Sequence, residues 1–197
     1  MAVAAAKKQL RQELKRALAA MTKQQRQEES SILTSKVLAS GEYRSSQRLS
    51  IYLTMPTEVD THHILEDALK SGKDCYVPRY EGAVMEMLKV HSLEDVASLP
   101  LTAWRIPQPA SDEGRENPLS SGHGLDLILV PGLGFSETGL RIGRGKGYYD
   151  TYLTRCITAG FRPKTLGLGF SCQRCSHIPT NDQDFALDRV LFPDSIP

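Results

Sequence analysis

Leu10, Leu14, Leu18 and Met21 recur at mostly four-residue steps and form one apolar stripe, which predicts a helix over residues 3–20. Lys7, Lys8, Arg11 and Lys15 lie to either side of that stripe. Thr22 with Gln25 reads as a capping box for a second helix, carried through Ile32, Leu33 and Val37 to residue 39 and ended by Gly41. Residues 49–53 read as a strand. Asp60 or Thr61 then caps a helix bearing Ile64, Leu65, Ala68 and Leu69, stopped by Gly72. Residues 74–77 form a second strand that Pro78 breaks, and the alternation over 85–90 predicts a short edge strand. Ser92 caps a short helical turn, and 100–124, rich in Pro, Gly, Ser and acids, reads as a long surface connection.

The run 125–130 is almost wholly apolar, the pattern of a strand buried on both faces. A glycine loop follows, then a helix over 146–157, a strand over 164–170 and a last strand over 188–192. Strands alternating with helices predict an α/β fold: three layers, α/β/α, around a largely parallel central sheet, with 1–197 as a single domain. Ligands of such sheets bind beyond the carboxyl ends of the strands.

Charge sharpens this picture. The formal net charge is +1, yet Lys7, Lys8, Arg11, Lys15, Arg16, Lys23 and Arg26 are opposed only by Glu13 in the first 26 residues. The positive charge is local, which favours a defined site over general nucleic-acid affinity. No apolar run approaches the roughly 20 residues that cross a bilayer, and the basic start lacks the apolar core of a secretory signal. The amphipathic segment has no serine before Ser30, unlike a mitochondrial transit peptide, so it reads as part of the fold of a cytoplasmic protein. Of Cys75, Cys156, Cys172 and Cys175 only the last two are close-spaced. A zinc site needs a second pair, so they read as reduced thiols.

The candidate chemistry lies in Gly139-Leu140-Arg141-Ile142-Gly143-Arg144-Gly145-Lys146-Gly147-Tyr148-Tyr149-Asp150. Glycines let successive backbone N–H groups curve around an anion, and the helix that follows adds its positive end. Arg141, Arg144 and Lys146 add full charges, and a polyphosphate is the first candidate ligand. Asp150, one turn into the helix, is placed to hold an accompanying magnesium ion. The loop is not a Walker A motif, because Leu140 and Gly147 stand where Gly and Ser/Thr are required. It is not a dinucleotide fingerprint either: Glu137 or Asp150 occupies the final glycine position.

Pro131-Gly132-Leu133-Gly134-Phe135 followed by Arg141 to Asp150 resembles the signature of the 5-formyltetrahydrofolate cyclo-ligase (methenyltetrahydrofolate synthetase) family. Val77-Pro78-Arg79-Tyr80, Ile106-Pro107-Gln108-Pro109 and the basic start over 7–11 support it, and the resemblance spans nearly the whole chain. Ser136 departs from the pattern, standing where the family often carries Asp, and receives no role from the resemblance. The resemblance implies an ATP- and magnesium-dependent ring closure of 5-formyltetrahydrofolate, with or without a polyglutamate tail. Its products are 5,10-methenyltetrahydrofolate, ADP and phosphate.

By the same resemblance, Lys7, Lys8, Arg11, Arg141, Gly143, Arg144, Gly145, Lys146, Gly147, Tyr148 and Tyr149 contact ATP, with Arg144 and Lys146 catalytic. Arg11, Leu53, Glu58, Trp104, Arg144 and Tyr148 contact the folate. Asp150 and Asp184 hold magnesium, with Asp188 the alternative to Asp184. Tyr148 and Tyr149 divide, one toward the site and one into packing. The expected state is a monomer without nucleic-acid or membrane partners. Two rival readings are a nucleic-acid-binding module built on the same cations and another nucleotide or sugar-phosphate enzyme of similar fold. Near-neutral charge and the lack of an aromatic-basic repeat weigh against the first.

Overall fold

The computed structural model describes residues 2–103, 105–110, 114–182 and 184–195. Helix α1 (Ala2–Ala20) and α2 (Lys23–Ala39) are followed by a short α3 (Gly41–Ser45) and strand β1 (Arg48–Ser50). Next come α4 (His62–Lys70), the strands β2 (Asp74–Glu81) and β3 (Val84–Val90), and α5 (Leu93–Ser98). The second half holds β4 (Leu127–Val130), a small hairpin of β5 (Gly134–Phe135) and β6 (Arg141–Ile142), and α6 (Tyr148–Thr158). It ends with β7 (Lys164–Leu168), a 3₁₀ turn at Ser171–Gln173 and β8 (Arg189–Leu191).

Six strands form one sheet in the order β3-β2-β1-β4-β7-β8. Every pairing is parallel except the β2–β3 hairpin. All four residues of β4 are buried, as a central strand covered on both faces requires. Leu49, Leu127 and Leu129 face Leu14, Leu18, Leu33, Val37, Ile64 and Leu65 of α1, α2 and α4. Ile128 and Val130 face Tyr149, Tyr152, Leu153 and Cys156 of α6. Alternate residues of one strand thus feed two apolar layers, giving the expected α/β/α arrangement. The capping box of α2 is present: Thr22 Oγ1 accepts from the Gln25 N–H and Gln25 Oε1 accepts from the Thr22 N–H.

Several elements differ from the sequence reading: Gly41, expected to end α2, opens α3, and the β5–β6 hairpin is an addition to it. Pro78 does not end β2, which continues to Glu81. Tyr76 O accepts from the Ile51 N–H, so even-numbered residues of β2 send their backbone groups toward β1. The N–H that Pro78 lacks would point that way, past the last ladder residue of β1, where no partner strand needs it. β1 is shorter than predicted, because Ile51 and Tyr52 stay buried but leave the ladder. The 100–124 connection is more ordered than its composition suggests. Leu101 and Pro107 form an isolated antiparallel bridge, and Glu116 accepts the Lys89 N–H at its carbonyl and the Tyr76 hydroxyl at its carboxylate.

Candidate active site

A cavity of about 420 Å³ opens at the carboxyl ends of β1, β2 and β4, where the chain leaves the sheet on its way to the next element. Its lining combines a cationic group, Lys7, Arg11, Arg141, Arg144 and Lys146 with the glycine loop, and an apolar and aromatic group, Tyr52, Leu53, Met55, Pro78, Tyr80, Ile106 and Pro107. Glu58, Asp150 and Asp184 also line it. A polyanion and a flat apolar ring have different demands, and this single cavity offers both surfaces.

The loop is shaped by glycine where an L side chain would be strained. Gly147 is the N-cap of α6 with φ 70°, and Gly145 has φ 106° with Arg11 packed beside its Cα. Arg11 reaches from α1 to donate its Nε–H to the Gly143 carbonyl at 2.9 Å. Helix α1 therefore braces the loop as well as lining the cavity with it. Lys146 is exposed at the rim.

The carboxylates are engaged. Asp150 Oδ2 accepts from Arg141 Nη2 at 2.8 Å and its Oδ1 accepts from the Phe185 N–H at 3.1 Å. Asp184, the residue before Phe185, accepts from Lys7 Nζ at 2.6 Å and from the Asn181 N–H at 2.7 Å. Glu58 receives the Met55 N–H at 3.1 Å and, from the glycine loop, Arg144 Nη2 at 3.2 Å. Arg144 also donates to Thr57 Oγ1 at 3.2 Å. Glu58 has a side chain only 8% exposed, so its charge needs these donors.

Deeper in, Tyr52 and Tyr149 are buried, and burial holds both hydroxyls well above the ordinary tyrosine range. Burial also pushes the Tyr80 hydroxyl up to about 12. The Tyr80 and Tyr148 rings lie 4.8 Å apart, and the Tyr148 hydroxyl donates to the Gly82 carbonyl at 2.8 Å. The two adjacent tyrosines of the motif divide: Tyr148 is half-buried at the cavity wall and Tyr149 packs into the α6 side of the core.

The fold gathers Lys7, Arg11, Leu53, Glu58, Arg141, Gly143, Arg144, Gly145, Lys146, Gly147, Tyr148, Tyr149, Asp150 and Asp184 around one space. Lys8 is not among the lining residues. It is exposed, because the helical period that turns Lys7 and Arg11 inward turns Lys8 away. Trp104 lies outside the described residues. Asp188 is also elsewhere: its Oδ2 accepts the Thr165 N–H and hydroxyl, both at 2.8 Å, tying the start of β8 to β7. Of the two alternatives, only Asp184 reaches the cavity. Tyr52, Met55, Thr57, Tyr80 and Gln108 carried no signal of their own, although Tyr80 and Gln108 lie in the two proline motifs.

Ser136, the departure from the family pattern, now has a physical account. It is buried; its Oγ accepts the Leu140 N–H at 3.0 Å and shares a 2.8 Å hydrogen bond with Thr138. It closes the turn between β5 and β6 and leaves the exposed Glu137 outside.

Two carboxylates at the cavity edge, Asp150 and Asp184, suit a hard cation that draws its other oxygens from phosphate and water. Among the described residues no cluster of three or more His, Cys, Asp or Glu side chains offers a fuller cage. The donor set therefore fits magnesium arriving with a nucleotide better than a resident structural metal.

This layout, a cationic loop facing an aromatic wall at the carboxyl edge of a parallel sheet, places the chain among α/β enzymes. Residues 3–193 match the model of the 5-formyltetrahydrofolate cyclo-ligase family, and the chain belongs to that family. It is 47% identical to the mouse 5-formyltetrahydrofolate cyclo-ligase, over 98% of this chain and 96% of that protein. A probable 5-formyltetrahydrofolate cyclo-ligase of Caenorhabditis elegans is 33% identical, over 97% of this chain and 94% of the other. The solved structure of Aquifex aeolicus 5,10-methenyltetrahydrofolate synthetase superposes with a TM-score of 0.78 at 28% identity, covering 96% of this chain and 90% of that one. The protein is thus a cyclo-ligase of one-carbon folate metabolism. No helix among the described residues is long and apolar enough to cross a membrane.

Proposed function

We propose that the chain converts 5-formyltetrahydrofolate to 5,10-methenyltetrahydrofolate at the expense of ATP, which leaves as ADP and phosphate. The observation that carries this is the two-sided cavity: the phosphate-type surface and the ring-type surface share one space, so two substrates can meet there. The chemical need is clear. Nitrogen 10 must attack the formyl carbon on nitrogen 5, and the amide oxygen is a poor leaving group. Transfer of the terminal phosphoryl group to that oxygen gives an iminophosphate. Attack by nitrogen 10 then forms the new C–N bond, phosphate departs with the oxygen, and nitrogen 10 gives up its proton.

Phosphoryl transfer asks a protein chiefly for position and positive charge. Lys146 and Arg144 supply side-chain charge for this task, joined by Arg11 and Lys7 of α1, which line the same cavity. The N–H groups around Gly145 and Gly147 would add a second, fixed set of dipoles there. Arg141 holds Asp150 in register. Magnesium, held by Asp150 and Asp184, would neutralise charge on the polyphosphate. Glu58 offers a carboxylate to the N–H edge of the pteridine, and Tyr80, Tyr148, Ile106 and Pro107 cover the ring and exclude water. The whole chain, 1–197, acts as one catalytic domain and as a cytoplasmic monomer.

The test is a spectrophotometric assay of the purified protein with 5-formyltetrahydrofolate, ATP and magnesium. A near-ultraviolet absorbance rise from the conjugated methenyl product, dependent on both ATP and magnesium, supports the reading. A flat trace from folded, ATP-binding protein sinks it.

A further inference from the structure

The motifs around Tyr80 and Gln108 are distant in sequence and have no part in the phosphate site, yet the structure joins them. The Gln108 side chain uses both ends of its amide on one residue. Its Oε1 accepts the Tyr80 N–H at 3.0 Å and its Nε2 donates to the Tyr80 carbonyl at 3.0 Å. These backbone groups point to the side of β2 that β1 has already left, since the β1–β2 ladder ends at Ser50 and Tyr76. Gln108 thus supplies the pair of hydrogen bonds that another strand residue would have made.

What Gln108 fastens there is a closed hairpin. The Gln108 N–H donates to the Pro100 carbonyl at 3.0 Å, Leu101 pairs with Pro107, and the Thr102 N–H donates to the Ile106 carbonyl at 2.9 Å. Arg105, with φ 58°, is the one non-glycine residue of positive φ in this structure's described residues. Arg79 adds a longer bond to the Ala110 carbonyl at 3.3 Å. Thr102, Ile106, Pro107 and Gln108 all line the cavity, as does Tyr80, whose ring lies against Tyr148.

We propose that Gln108 is a positioning residue for the folate: it fixes the 100–108 hairpin as the wall against which the pteridine ring docks. It acts through Tyr80 and the hairpin and touches neither phosphate nor metal. The inference rests on the cyclo-ligase reading of the cavity. It assigns to the Gln108 amide the folate affinity of the wall, and leaves ATP affinity to the opposite side.

The experiment compares wild type with Gln108→Ala and Gln108→Glu. The Glu variant keeps the length and an acceptor for the Tyr80 N–H but lacks the donor for the Tyr80 carbonyl. KM is measured for 5-formyltetrahydrofolate and for ATP. Folate binding is followed separately by fluorescence of Trp104, the sole tryptophan. The expected result is a rise in folate KM of about tenfold for Gln108→Ala, the scale of two lost neutral hydrogen bonds, and of about threefold for Gln108→Glu, which loses one. ATP KM stays within twofold, the protein remains folded with an unfolding midpoint lowered only modestly by the lost bonds to Tyr80, and the weakened folate binding appears in the fluorescence titration. Equal rises in both KM values, or a folate KM within twofold of wild type, overturns the proposal. If wild type itself shows no ring closure, the cyclo-ligase reading fails instead, and the two failures are told apart by that control.

Discussion

Lys7 in the second turn of α1 and Asp184 near the end of the chain, 177 residues apart, meet in an ion pair at 2.6 Å on the cavity wall. Their side chains are 12% and 21% exposed, so water screens the pair only in part. Asp184 is chained to Phe185, whose N–H holds Asp150. Helix α1, the segment before β8 and the start of α6 are therefore linked through groups proposed to handle phosphate and metal. Lys7→Ala is expected to cost about 1 kcal/mol of stability and to raise the KM for ATP about tenfold. A double-mutant cycle with Asp184→Asn in urea checks the pairing: additive effects would show that the two residues are uncoupled.

Lys146 separates catalysis from stability. It is exposed, and no ion pair among the described residues involves it. Lys146→Ala is expected to leave the unfolding free energy within about 0.5 kcal/mol while slowing ring closure by roughly a hundredfold or more. Urea denaturation and the absorbance assay, run on one preparation, decide this. A variant of near-normal rate would remove Lys146 from the phosphoryl-transfer step.

Glu58 and Arg144 face each other across the cavity mouth at 3.2 Å. In Glu58→Gln the carboxylate proposed for the pteridine N–H edge is lost, while the amide oxygen can still accept the Met55 N–H. Folate KM is expected to rise about tenfold, in line with loss of a charge-assisted hydrogen bond. ATP KM should move by less than twofold. Steady-state kinetics with each substrate varied in turn gives the answer, and an effect confined to ATP would reverse the assignment of the two walls.

Gly147 caps α6 in the left-handed region at φ 70°. A Cβ there meets nothing within 4 Å, so any cost of Gly147→Ala is conformational and not steric crowding. The expected loss is about 1–2 kcal/mol of stability, with a fall in turnover as the loop shifts. Thermal and urea unfolding measure the first; unchanged stability would mean that the loop relaxes to another path.

Acid stability is expected to depend on Asp95. Arg115 grips its carboxylate with two nitrogens, at 2.7 and 2.9 Å, and the His91 N–H adds a third donor. The hydrogen bond from Arg115 is the largest influence, and it holds the Asp95 carboxyl down at about 2. Between that value and the ordinary aspartate value near pH 4 the unfolded chain binds the extra proton, so stability rises with pH there. The contribution is complete above about pH 4 and disappears as pH falls through about 2. Asp95→Asn should flatten the stability curve over that interval and leave its slope near neutrality unchanged. A curve still parallel to wild type below pH 4 would place the acid sensitivity elsewhere.

Much of the site was legible in the sequence because it is local. The glycine loop, its cations and Asp150 occupy one stretch, and their spacing alone points to the anion cradle proposed at this helix end. The buried run of β4 marks the central strand and therefore the edge where the cavity opens. Pro78 misled because the consequence of a missing N–H depends on which neighbour strand is still present at that level, and periodicity carries no such information. Lys8 and Asp188 are chemically indistinguishable from Lys7 and Asp184 when written as letters; the turn of α1 and the register of β7 with β8 separate them.

The sequence by itself determined the order of the main elements, the α/β class and the cation-rich glycine loop, because those follow from the hydrophobic period, glycine and charge within a few residues of one another. Only the tertiary structure decided which distant charges meet at the cavity: Lys7 with Asp184 and Arg144 with Glu58. It also decided that Gln108 completes the free edge of β2. The physical reason is that such pairs are chosen by the packing of distant elements against one sheet. Burial then obliges each polar group to take whichever partner that packing brings within reach.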